Sequence, residues 1–181
     1  MPKTLLSQYS RQNLKDLIDL LKKDYYEIIT VSCNHIHNLA NNMEQATETT
    51  ANNYISMCAR LAEDIRNDIH MSEVIIPPYV YELHEKTSSS HDCATCSGKC
   101  HLNHSLQMKG IQAAHEKVRE QLQRIGQMAQ QEEDQSETPP VKLLRNEINC
   151  LDTILAELLF LEEAILIPKI QEAQTAINAA G

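Results

Sequence analysis

Apolar positions recur at spacings of three and four in four stretches of the chain, the signature of one buried face on an α-helix. Residues 12–41 carry Leu14, Leu17, Leu21, Tyr25, Ile28, Ser32, Ile36 and Leu39 in one near-continuous stripe. Residues 51–76 repeat it with Cys58, Leu61, Ile65, Ser72 and Ile76. The third stripe is Ile111, His115, Val118, Leu122 and Ile125, and the fourth is Leu144, Ile148, Leu151, Leu155, Leu158, Glu162 and Ile165. Polar segments separate them: NNMEQATETTANN after the first, and the acidic, breaker-terminated QQEEDQSETPP after the third. Pro77-Pro78 predicts the end of the second helix, because proline lacks the amide proton and clashes with the preceding turn. The expected fold is all-α, one domain over 1–181, an up-down-up-down four-helix bundle. A long connection from about 84 to 104, rich in cysteine and histidine, joins helices two and three.

Composition supports this pattern. The 181 residues contain four glycines and six prolines, so long stretches lack breakers. Aromatics are 4% with no tryptophan, which leaves Leu, Ile, Ala and Met to fill the core. A net charge of −9 without a basic stripe argues against nucleic acid as a partner. The most apolar run, LAELLFLEEAILIPKI, carries three glutamates and is too short to span a bilayer. MPKTLLSQYSRQNLKDL has no apolar stretch of signal-peptide length. The expected setting is soluble and cytoplasmic with no membrane partner, where six cysteines read as thiols or metal ligands rather than a disulfide framework.

Polar residues inside apolar stripes are the informative exceptions. Tyr25 sits in the first stripe, His115 in the third and Glu162 in the fourth, while Asp68 lies at the edge of the second. In an alternating bundle with about 1.5 Å of rise per residue, all four fall within a turn or two of one level. A histidine with two carboxylates is a donor set for a hard or borderline divalent metal. Two readings stay open: metal ligation, or a core histidine hydrogen-bonded to Tyr25 with Asp68 solvated at the edge. His70 and Glu73, one turn apart, form a further pair that reads as surface. Cys33, Cys58 and Cys150 lie toward the opposite end and read as small buried hydrophobes before they read as ligands.

The ends of helices two and four, IHMSEVIIPPYV and FLEEAILIPKI, together with LLKKDYYEII and AAHEKVREQL, resemble the hemerythrin-like (HHE cation-binding) family over about residues 12–172. The resemblance implies a four-helix bundle with non-haem iron bound by histidines and carboxylates. It places His115 at the third-helix histidine and Glu162 at the fourth-helix carboxylate. Tyr25 stands where the first-helix histidine is expected, Asp68 and Ser72 replace the second-helix pair, and Leu158 replaces the fourth-helix histidine. A depleted mononuclear site, or none, fits these substitutions better than an oxygen-carrying pair of irons.

The segment HDCATCSGKCHLNH at 91–104 is a second concentration of ligands. Cys93, Cys96 and Cys100 form C-x2-C-x3-C with His91, His101 and His104 alongside, and Ser97-Gly98 can supply the turn that lets two thiolates grip one ion. Three thiolates and one imidazole complete a tetrahedral zinc shell. An iron–sulfur cluster is the next assignment, and a redox-active or disordered cysteine loop the bland one.

These readings give three expectations. The first is a metal-binding protein for metal or redox/gas sensing, storage or repair, with non-haem iron or another divalent metal in the core and zinc or an iron–sulfur cluster at the loop. The second is a non-haem iron enzyme acting on dioxygen, peroxide or nitric oxide. The third is an interaction protein whose loop zinc presents a surface to a protein partner while the core holds no metal.

Overall fold

The computed structural model describes residues 3–44, 52–88, 105–132 and 138–180. Every element in it is helical, and no strand occurs among the described residues. Five helices follow in order: α1 (Lys3–Ser10), α2 (residues 14–44), α3 (Asn52–Ser88), α4 (Ser105–Glu132) and α5 (residues 139–180). No described helix is long and apolar enough to cross a membrane.

Local chemistry accounts for the helix starts. Asn13 caps α2, its side-chain oxygen accepting the backbone N–H of Asp16 at 2.9 Å. Pro139 and Pro140 occupy the first turn of α5, where their missing N–H groups cost nothing and their fixed φ suits the helix. Between the elements, side-chain pairs fix direction. Tyr81 donates to Asp19 at 2.5 Å, Arg66 to Asn34 at 3.2 Å, and Ser56 to Glu44, so α3 descends as α2 rises. Gln121 donates to Asp64 at 2.7 Å between α4 and α3. Tyr25–Glu157 and His35–Glu147, at 3.4 Å each, run α5 against α2. One continuous cluster of buried side chains draws on all five helices, from Tyr9 through Leu21, Ile36, Ile65, Val118 and Leu158 to Ile177.

The stripes of the third and fourth expected helices lie inside, with Leu122 the half-buried exception. Three features differ from expectation. The unexpected α1 sends Tyr9 into the core, where its ring meets that of Tyr25 at 6.4 Å and 58°. α3 does not end at Pro77-Pro78 but continues to Ser88, so residues 84–88 are helix rather than connection. Ile76, Tyr79, Val80 and Leu83 are buried across the prolines, and this packing offsets the lost hydrogen bonds. α5 likewise runs through Pro168 to Ala180.

The third difference matters most for function. α2 and α5 each contain one π-helical turn, Lys22–Tyr26 and Glu162–Leu166. At their ends Glu27 N–H bonds to Lys22 O, and Ile167 N–H to Glu162 O, a five-residue step in place of four. The extra residue in α2 rotates the helix after it, so that three expected stripe positions shift by one while Ile36 stays buried. The expected stripe Ile28, Ser32, Leu39 becomes Ile29, Cys33, Ala40, and Ile28 is left 46% exposed. The same insertion buries two consecutive tyrosines, Tyr25 and Tyr26.

Candidate functional site

Among the described residues, three polar side chains are buried: Ser72 on α3, His115 on α4 and Glu162 on α5. They meet at the level of the two π-helical turns. His115 Nε2 lies 2.9 Å from Glu162 Oε2, and its Nδ1 lies 3.0 Å from Glu163 Oε1. The hydroxyl of Tyr26 donates to the other oxygen of Glu162 in a short hydrogen bond. Glu163 is held in turn by Arg119, at 2.9 Å from its second oxygen, and Arg119 also bonds Glu116 at 2.6 Å. The result is a chain Tyr26–Glu162–His115–Glu163–Arg119–Glu116 that starts in the core and ends at the surface. The π-helical turn of α5 begins at Glu162, so the adjacent carboxylates 162 and 163 both face the imidazole.

Burial disfavours the His115 imidazolium, but the hydrogen bonds and attraction of Glu162 and then Glu163 outweigh it and raise its pKa above the ordinary histidine value. Burial would lift Glu163, but Arg119 and His115 reverse this and hold it below the usual carboxylate range. The Tyr26 phenol is pushed well above its ordinary value, first by burial and then by the neighbouring Glu162, so it stays a donor.

Beside this chain lies a small cavity of about 20 Å³, lined by Asp68, Ser72, His115 and Glu162 on its polar side and by Ile65, Ile69, Val118, Leu155 and Leu159 on the other. It has room for about one water molecule or a single ion. The Oδ2 atom of Asp68 is buried with no hydrogen-bond partner. Burial raises the Asp68 pKa, although Lys117 and His115 oppose the shift. Asp68 is half-buried at the edge of its stripe and turns one oxygen inward. Among the described residues no three His, Cys, Asp or Glu side chains converge closely enough to enclose a metal ion.

His115 and Glu162 are thus brought together, and Asp68 lines the same cavity without touching them. Tyr25 is not in the cluster: its hydroxyl reaches Glu157 at 3.4 Å, and Tyr26 occupies the place expected for it. The π-helical turn is the physical reason, since it moves the next residue onto the inner face. His70 is exposed, and Glu73 is half-buried. Cys33 and Cys58 are buried and outside any disulfide, and Cys150 is exposed, so the three do not share one environment. The six loop ligands, His91, Cys93, Cys96, Cys100, His101 and His104, lie outside the described residues. The sequence reading missed Tyr26, Glu163 and Arg119. The doublets Tyr25-Tyr26 and Glu162-Glu163 were the nearest hint, because adjacent residues on a regular α-helix point about 100° apart and an inserted residue is one way to turn both inward.

No family model matches the chain, and neither a curated protein nor a solved structure matches it.

Proposed function

We propose that the chain is a metal-binding, hemerythrin-like four-helix bundle in which one divalent cation sits against His115 Nε2 and Glu162 Oε2, iron being the first assignment. The observation that carries this reading is the buried, unpartnered oxygen of Asp68, a residue that lines the same one-ion cavity as His115 and Glu162. A buried carboxylate oxygen without a partner is costly unless something positive or donating comes to it. The Glu163–His115 contact fits too, since a carboxylate on the far nitrogen of a ligating histidine fixes the tautomer and orients the ring. Arg119 anchors that carboxylate.

The donor set suits one ion and not two. One imidazole and two carboxylates leave open positions for water or a small oxidant, and Asp68 must turn toward the ion to join. A cation at this position would supply Lewis acidity or redox chemistry. The chain's own contribution is to exclude bulk water and hold Glu162 through Tyr26. Zinc or an iron–sulfur cluster at Cys93, Cys96, Cys100 and one of His91, His101 or His104 is the accompanying proposal. It rests on spacing alone. The role assigned is metal or redox/gas sensing, storage or repair in the cytoplasm, with turnover of dioxygen, peroxide or nitric oxide as the enzymatic variant.

A second reading has its own observation. Both ring nitrogens of His115 lie at hydrogen-bond distance from carboxylates, so a doubly protonated imidazolium needs no metal to satisfy it. The site is then a buried ion-pair network, and the loop zinc alone presents a surface to a protein partner.

Elemental analysis of protein purified without added metal separates these, with His115→Ala and Cys93→Ser in parallel. Iron lost with His115→Ala and kept in Cys93→Ser supports the core site. Zinc lost only with Cys93→Ser, with no other metal present, removes the core site from the proposal and leaves the loop.

A further inference from the structure

A groove of about 430 Å³ opens between α3 and α4, one to two turns from the buried cluster. Its floor is the half-buried Met57 over the packed core residues Leu61 and Ile125, and its rim carries Arg60, Lys117 and Arg124 with Glu120 and Gln121. The volume falls in the roughly 300–1,000 Å³ range of small-molecule sites. Three cations against the lining carboxylate Glu120 and the adjoining Asp64 leave the groove locally positive on a chain whose net charge is −9. These cations are weakly committed. Lys117 lies 3.5 Å from the half-buried Asp64, Arg124 lies 3.9 Å from the exposed Glu120, and no ion pair engages Arg60 among the described residues. Surface pairs of this kind contribute little, so an incoming anion can displace them at small cost. At the rim, Gln121 donates to Asp64 while its Oε1 is buried with no partner.

An apolar floor under a cationic rim recognises a molecule with an apolar body and an anionic head. Two guanidinium groups can bind a carboxylate through paired N–H donors, and the methionine and aliphatic floor accepts an alkyl chain. Glu120 stands among the cations, and its repulsion doubles for a doubly charged head. That selects a monoanion over a phosphate ester. We propose that the α3–α4 groove is a binding site for a small amphipathic carboxylate, with the head group between Arg60 and Arg124 and the chain along Met57 and the methylene stems of the rim side chains.

The test uses the full chain and titrates decanoate by isothermal calorimetry, with decanol and decyl phosphate in parallel. The expected result is saturable one-to-one binding of decanoate, at least tenfold weaker binding of decanol, and decyl phosphate no tighter than decanoate. Arg60→Gln with Arg124→Gln, both exposed and outside the core, should weaken decanoate at least tenfold at an unchanged melting temperature. Met57→Glu should do the same by placing a charge on the chain path. Decanol binding as tightly as decanoate, or decanoate binding unchanged in the double variant, overturns the site. Tighter binding of decyl phosphate overturns the assignment to a carboxylate.

Discussion

Replacing His115 with alanine strands the carboxylate of Glu162. That side chain is 2% exposed, and without the imidazole the partner left to it in the cluster is the Tyr26 hydroxyl. Glu163 loses less, because it is 32% exposed and keeps Arg119 at 2.9 Å. The cost therefore falls on Glu162, and removing one partner of a buried ion pair costs roughly 3–5 kcal/mol. For a chain of this size one kcal/mol moves the melting temperature by roughly 2–4 °C, so a fall of roughly 6–20 °C is expected. Urea denaturation of chelator-treated protein, followed by far-UV circular dichroism, measures it without any metal contribution. A triple variant with His115→Leu, Glu162→Met and Tyr26→Phe removes the whole buried network, and should lose less than His115→Ala alone. A loss below about 1 kcal/mol for His115→Ala, or a triple variant as unstable as the summed single changes, would refute the reasoning that charge stranding sets the cost. The wild-type pH dependence checks the same cluster. His115 has a raised folded pKa, so its contribution is complete below its ordinary value of 6.5 and is lost as pH rises through the folded value. Glu163 has a lowered one, so its contribution is complete above its ordinary value of 4.5 and is lost as pH falls through the folded value. Stability from the pair should be fullest between these two pH values and decline on both sides.

Tyr26→Phe removes a buried donor to a carboxylate and should cost about 1.5–3 kcal/mol, whereas Tyr25→Phe, which breaks a part-buried 3.4 Å contact, should cost well under about 1 kcal/mol; equal losses in urea melts would place the wrong tyrosine inward. Asp68→Asn removes a buried charge with no hydrogen-bond partner on its inner oxygen, so metal-stripped protein should gain about 1 kcal/mol at neutral pH, while any core metal should bind more weakly by calorimetry. Burial pushes the Cys33 thiol up to about 12, so alkylation of native protein at mildly alkaline pH, mapped by peptide mass spectrometry, should modify Cys150 and spare Cys33. Appearance of modified Cys33 at the rate of Cys150 would mean the α2–α3 interface opens readily.

Periodicity alone determined that this chain is helical and where most of its core lies. The stripe from Leu144 to Ile165 is buried at every expected position because packing rewards each turn of that helix in the same way. The pairing of His115 with Glu162 was legible for the same reason: a titratable residue in an apolar stripe must face a partner in the core. Residue spacing could not show the places where the helical period changes. A π-helical turn trades a backbone hydrogen bond for one extra residue, and no local propensity signals that trade. It is decided by what the rotated residues meet, here Tyr26 against Glu162 and Glu163 against His115 and Arg119. The run of α3 through Pro77-Pro78 has the same character, since a strong local breaker is overridden by the buried side chains on both sides of it. The sequence determined which chemical groups enter the core. The tertiary structure decided that Tyr26 rather than Tyr25 meets Glu162, and that Glu162 and Glu163 both meet the histidine, because that depends on helix rotation fixed only when the helices pack together.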